Sequence, residues 1–375
     1  MKWTHPALAA TLASALVLSA CTGDDTEPEA TTAAGTTTAD DAAATTTPDD
    51  GEAATATGGP LADDAATTTN PADPAVVTAA PDGEAVVSVD EAEQIAYSLL
   101  RHAHFSQVAG GAKIAERQQA AFEGAELEAA EGVTRLRRVE ITSPVSYTFE
   151  EPNVLAISRE DGEQPWTILV QSVPEDESSL PELHEIRSED DGATWHLSWS
   201  APMLPGTSIG EFDRRSEGTP LLRDGRGDLE QDPREVVDAF LEYVAYPLES
   251  DLEEIKTYGY GPAVREQLRN QAAAVDVQAA FTNTHEVRED TLRSYQMADG
   301  SALTLVVVDR DSVFDVRSGM ELTPPESFTA FVDDRSITER AQVDSLLFFA
   351  IHVPEGDGVP EVVAAREQVV GASGE

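Results

Sequence analysis

Apolar positions along this chain fall into two segments that carry the same order of signals, helical spacing first and strand alternation afterwards. The first opens at Ser88-Val89-Asp90-Glu91, where Ser88 serves as cap and Glu91 closes a capping box. Ile95, Leu99 and His102 then share a face with Ala92 and Ala103. A second helical stretch, Ile114 to Ala130, includes Phe122-Glu123-Gly124-Ala125. Strand-like runs follow at Tyr147-Phe149, Val154-Ser158, Trp166-Val170 and Trp195-Ser200, with Asp161-Gly162 as a hairpin turn. On the last run, alternation puts Trp195, Leu197 and Trp199 on the core side and His196 outside.

The second segment opens at Asp232-Pro233, proline suiting a first helical turn. Val236, Val237, Phe240, Leu241 and Val244 form its apolar stripe. Tyr258-Gly259-Tyr260-Gly261-Pro262-Ala263 takes the place of the earlier Phe-Glu-Gly-Ala, and Asp299-Gly300 again precedes an apolar strand, Leu303 to Val308. The step from Gly124 to Asp161 is 37 residues, and from Gly261 to Asp299 it is 38. Two further strands, Ser345 to Val353 and Val359 to Val369, flank a Pro-Glu-Gly-Asp-Gly turn. The pattern predicts an α+β fold: two tandem modules, residues 85–205 and 232–371, joined by a linker at 206–231, each with helices packed on a curved antiparallel sheet.

The amino terminus follows different rules. Lys2 supplies a positive start, Ala7 to Leu18 is apolar, and Ser19-Ala20 is small enough for a peptidase, so residues 1–20 read as a secretory signal. The apolar run is too short for a spanning helix, which needs about twenty residues. Cys21, the one cysteine, follows directly. Residues 22–84 are almost wholly Ala, Thr, Asp, Glu, Gly and Pro, with fourteen acidic residues and no Lys or Arg. Such a composition buries too little apolar surface to offset ordering entropy, and 21–84 is expected to be a disordered tether with a reach of roughly 45 Å. Its threonine runs are candidate glycosylation sites.

The net charge is −46, and most of it lies beyond the tether. A field of that sign repels phosphate backbones and excludes nucleic acid as a partner.

The Leu18-Ser19-Ala20-Cys21 stretch resembles a type II signal peptide, which implies thioether-linked diacylglycerol on Cys21 and a place on the outer face of the cytoplasmic membrane. The order of helical hairpin and sheet resembles the cone-shaped fold of the nuclear transport factor two and ketosteroid isomerase superfamily. From Trp195 to Leu229, Trp195-His-Leu-Ser-Trp199, Pro202, Leu204-Pro205 and Gly218-Thr-Pro-Leu-Leu-Arg-Asp-Gly-Arg-Gly-Asp-Leu229 are similar to the junction of class B penicillin-binding proteins. No arginine stands directly before Thr219, and no Ser-x-x-Lys, Ser-x-Asn or Lys-Thr-Gly follows, so this resemblance implies an accessory fold without transpeptidase chemistry. The arrangement as a whole resembles uncharacterised secreted lipoproteins of high-GC Gram-positive bacteria.

Several residues are candidates for chemistry. Gly206-Thr207-Ser208-Ile209-Gly210 fits the nucleophile-elbow pattern, with Asp309 or Asp315 and His285 or His352 as conceivable partners of Ser208. Gly218 and Pro220 leave no long helix to back that turn, which favours a Gly-rich linker. His102 and His104, two apart, point to different helix faces and lack the spacing of a zinc site. Asp224-Gly225-Arg226-Gly227-Asp228 with Glu230, and Asp309-Arg310-Asp311 through Asp315, are acidic clusters without EF-hand spacing, so no metal is expected. Tyr258, Tyr260 and Tyr295, with Asp290 or Asp299, are candidates to line a cone pocket for proton transfer.

The reading favours a lipid-anchored extracytoplasmic protein with a binding or envelope-assembly role, without catalysis and without a cofactor. Its expected partners are the membrane, through Cys21, and a cell-envelope protein or small ligand. The alternative is a cone-pocket enzyme or a serine hydrolase using Ser208.

Overall fold

Two antiparallel sheets lie face to face, each backed on its outer side by helices. The computed structural model describes residues 84–375 except 109–112, 140–150, 161–163, 175–179, 214, 223–226, 228, 250–254 and 334–335. Cys21, the tether, the Tyr147-Phe149 run, the Asp161-Gly162 turn and most of the Asp224 cluster therefore lie outside the described residues.

In chain order the elements are α1 (Val89–Val108), α2 (Ile114–Ala121), α3 (Gly124–Arg138), β1 (Asn153–Ile157), β2 (Trp166–Ser172), β3 (Glu182–Ser188) and β4 (His196–Pro202). After the connection come α4 (Pro233–Tyr243), α5 (Tyr260–Val275), β5 (Ala279–Val287), β6 (Arg293–Gln296), β7 (Ala302–Val316), the single turn α6 (Glu326–Thr329), β8 (Arg340–Val353) and β9 (Glu361–Gly374). The first sheet has the order β1-β2-β3-β4, the second β5-β7-β8-β9 with β6 also pairing to β7. The fold is thus mixed α+β, built on two antiparallel sheets.

Local chemistry accounts for the helix ends. Glu91 N donates to Ser88 Oγ at 3.3 Å, the serine half of the expected capping box, and Asp232 caps α4 by accepting from Arg234 N. The expected single helix from Ile114 to Ala130 is broken. Phe122 and Glu123 are extended, Glu123 N donates to Leu197 O, and Gly124 restarts the chain at φ 52°. Gly259 does the same before α5, at φ 86°. The two corresponding motifs therefore both open helices.

Three apolar clusters fill the layers. Ala92, Ala96, Leu99 and Leu100 of α1 pack with Phe122 on the outer face of the first sheet, against Ile168, Val170 and Ile186. Val237, Phe240, Leu241 and Leu268 of α4 and α5 pack on the outer face of the second, against Val306, Phe314, Phe349 and Ile351. Between the sheets, Leu169, Leu183 and Trp199 meet Leu303, Leu305, Val307, Leu346 and Phe348. Strands buried on both faces read as largely apolar runs, which is why Leu303 to Val308, with Thr304 its one polar residue, and Leu346 to Ile351 lack polar alternation.

Trp199 corrects the alternation expected for β4. Its cross-strand register jumps between Glu185 and Ile186, a bulge that leaves Leu197 facing the helices and Trp199 facing the second sheet. There its Nε1 donates to Val306 O at 3.1 Å, and its ring meets Phe348 edge-on. The connection runs along both sheets: Met203 bridges Ala364, Thr219 bridges Ser158, and Leu221 bridges Tyr295.

Candidate functional site

The densest group of reactive side chains sits where β7 begins, β8 ends and β9 begins. The Asp299-Gly300 turn is closed by Met297 N donating to Ser301 O, with Gly300 at φ 87°. Asp299 Oδ1 accepts from Ser301 N at 3.0 Å and from Ser301 Oγ at 2.5 Å. Ser301 Oγ lies 3.0 Å from His352 Nε2. His352 stands opposite Glu361 in the sheet register, and Glu361 accepts from Tyr258 OH at 2.5 Å and from Lys256 Nζ at 2.9 Å. Lys256 Nζ also donates to Tyr258 OH at 2.6 Å.

Backbone pairing fixes this arrangement. Lys256 N donates to Pro360 O and Val362 N to Lys256 O, so the segment adds to the outer edge of β9. Tyr258 is held at φ 49°, an uncommon conformation for an aromatic residue. The Gly-x-Ser-x-Gly segment crosses the same end of the sheet. Leu204 N and Thr207 Oγ1 both donate to Val363 O, a Cβ on Gly206 would lie 3.9 Å from the Tyr258 ring, and Glu211 O accepts from Ala298 N beside the turn.

Electrostatics keep the carboxylates charged. The Ser301 hydroxyl holds Asp299 below the usual carboxylate range. Partial burial pushes Glu361 up, but the Tyr258 and Lys256 hydrogen bonds outweigh it and leave Glu361 lowered. Lys256 is raised, chiefly by its bond to Tyr258.

The order of the links decides what the serine can do. With the Ser301 proton directed at Asp299, His352 Nε2 must carry the hydrogen it donates to Ser301. A hydrolase needs the reverse, an imidazole acceptor for the serine proton. Ser301 is also buried. Ser208 is exposed, and no hydrogen bond joins it to His352.

The other candidates disperse. Of the three tyrosines, only Tyr258 joins this group. Tyr295 lies between the sheets and donates to Glu185 Oε1 at 2.7 Å; burial and Glu185 push its hydroxyl well above the ordinary value. Tyr260 lies under the second helical layer beside Glu367 and Arg310, where burial raises it too. Asp290 O accepts from Arg293 Nη2. His285 faces α4 and α5 from β5, opposite Arg310, and burial lowers it to about 3. Asp309 is clasped by Arg288 at 2.6 Å, and Asp315 lies 3.9 Å from Arg340. His196 approaches Glu123 at 3.6 Å, and His104 is lowered by burial and then by Arg137. Among the described residues, no three His, Cys, Asp or Glu side chains are placed to hold a metal ion.

Sequence reasoning missed Ser301, Lys256 and Glu361. Lys256 carries a faint signal as one of three lysines in the chain, but Glu361 is one acid among 70 acidic residues and carries none. Compared with known protein families, curated proteins and solved structures, the chain matches none.

Proposed function

We propose that the protein is a lipid-anchored extracytoplasmic protein with a non-catalytic role in binding or envelope assembly, akin to secreted lipoproteins of high-GC Gram-positive bacteria. The observation that carries the reading is Cys21, the sole cysteine, placed directly after an apolar run and two small residues. Two acyl chains hold a protein stably on a bilayer where one does so only marginally. On this reading each half is a cone-like module; in support, α1 and α2 precede and cover the first sheet, as α4 and α5 do the second. No helix among the described residues is long and apolar enough to cross a membrane.

The non-catalytic part of the reading draws on the links just described. Asp299, Ser301 and His352 are joined in an order that ties up the serine, and the Tyr258 hydroxyl is committed to Glu361. Two measurements test it. Cys21→Ser should move the protein from the membrane to the soluble fraction and remove the acyl mass at the mature amino terminus; unchanged fractionation defeats the anchor. A fluorophosphonate probe should label the parent no more than the Ser208→Ala chain, and labelling that disappears with Ser208→Ala restores the hydrolase.

A further inference from the structure

One stretch departs from the acidity of the rest. Between Glu93 and Glu116 the chain carries no acidic residue, although it holds 70 elsewhere. The stretch contains Arg101, His102, His104 and Lys113, and it covers most of α1 and the start of α2.

Lys113 lies 4.0 Å from Glu116, whereas Arg101, and Arg117 just beyond the stretch, touch aromatic rings. Arg288, Arg293, Arg310 and Arg366 each hold at least one carboxylate within hydrogen-bond reach. Arg101, Arg117 and Arg137 form no ion pair among the described residues. Arg101 instead lies over the Tyr97 ring at 5.4 Å, and Arg117 over the Phe105 ring at 5.1 Å. Arg137 acts on His104 through its charge, but its Nε is shielded from water. Both rings face water: Tyr97 is 43% exposed and Phe105 55%, the latter among the most exposed large apolar side chains of the described residues. Tyr97, Arg101 and Phe105 follow one another at four-residue steps and form a stripe along α1.

We infer that this stripe, with Arg117 beside it, docks on the anionic surface of a phospholipid bilayer. Arginine over an exposed aromatic ring suits the headgroup boundary, where the guanidinium meets phosphate and the ring enters the acyl margin. A purely ionic partner would leave Phe105 without a function. Charges separated by more than about 8 Å are screened at physiological ionic strength, so the acidic remainder of the molecule does not cancel the local attraction. It also orients it, because faces that carry the net negative charge are repelled by the lipid. The inference takes the availability of a membrane from the anchored reading above, but its test does not depend on acylation.

The test uses the full chain carrying Cys21→Ser, mixed with vesicles of phosphatidylcholine alone or of equal parts phosphatidylcholine and phosphatidylglycerol. Leader and tether are common to all chains compared. The parent should partition more strongly into the anionic vesicles and lose that preference as salt is raised. Arg101→Gln with Arg117→Gln should weaken this partition about 25-fold, at about five-fold for each cation lost near the surface. Phe105→Ser should weaken it as well, whereas Arg317→Gln with Arg340→Gln, after the end of β7 and at the start of β8, should leave it unchanged. Equal partition of parent and double variant overturns the inference. So does binding of soluble polyphosphate that the arginine changes abolish and Phe105→Ser leaves intact, which would assign the patch to a dissolved polyanion. Membrane release by Cys21→Ser in cells is read separately, so failure of the anchor and failure of the patch are distinguishable.

Discussion

Buried histidines make the residue-scale chemistry testable by pH. His184 is held between Ser172 Oγ at 2.8 Å and Ser200 Oγ at 2.9 Å, and burial, with Arg366 nearby, lowers it to about 3. His285 is lowered equally, yet both of its ring nitrogens are shielded and without a hydrogen-bond partner, although the residue as a whole keeps some exposure. A histidine lowered by folding takes up its proton first in the unfolded chain. The stability it allows is complete above pH about 6.5 and is lost as pH falls toward 3, at about 1.4 kcal/mol per unit. His285→Phe removes both that linkage and two unsatisfied nitrogens. Urea unfolding should show the variant at least as stable as the parent at pH 7.5 and about 2 kcal/mol further ahead at pH 5. An identical gap at the two pH values would mean that folding does not lower the affinity of His285 for its proton.

At the scale of elements, α3 lies on β9 because its contact face is small. A Cβ on Gly132 would stand 2.4 Å from Val369 O, so the helix and strand backbones touch there. Gly132→Ala should destabilise the fold by about 1–3 kcal/mol through overpacking, read as a lowered denaturant midpoint, despite alanine's better helix propensity. Elements such as α1, α4 and β7 were legible because their apolar spacing and caps agreed with each other. The strand β3 was not, since Glu182-Leu-His-Glu-Ile-Arg-Ser188 carries three buried polar side chains, His184, Glu185 and Ser188, where a strand signal needs apolar ones. For β5 the alternation Ala-Ala-Phe-Thr-Asn-Thr-His-Glu-Val is interrupted by buried Asn283. The site was half legible. Tyr258, Asp299 and His352 could be singled out by residue type, but their meeting depends on the β7-β8-β9 register, which no local spacing encodes.

For the molecule as a whole, the layer between the sheets decides cooperativity. Trp199 is 2% exposed and ties the first sheet to Val306 of the second. Glu185 accepts from Tyr295 at 2.7 Å and from Ser198 at 2.7 Å, so a buried carboxylate is satisfied from both sheets at once. Calorimetry should therefore record one transition in which both sheets melt together, with equal calorimetric and van't Hoff enthalpies. Trp199→Ala should lower it by about 3–5 kcal/mol without splitting it. Two resolved transitions in the parent would show that the interlayer contacts do not couple the sheets.

That same interlayer governs the order in which the chain matures. The tryptophan and its carbonyl partner are 107 positions apart, and Thr207 waits for Val363 across 156. A polypeptide emerging amino end first would display Leu169, Leu183 and Trp199 to water long before β7 and β8 arrive to cover them. Until the last hairpin is delivered, the early sheet is an adhesive surface that needs a chaperone or the quick arrival of its own carboxyl-terminal half.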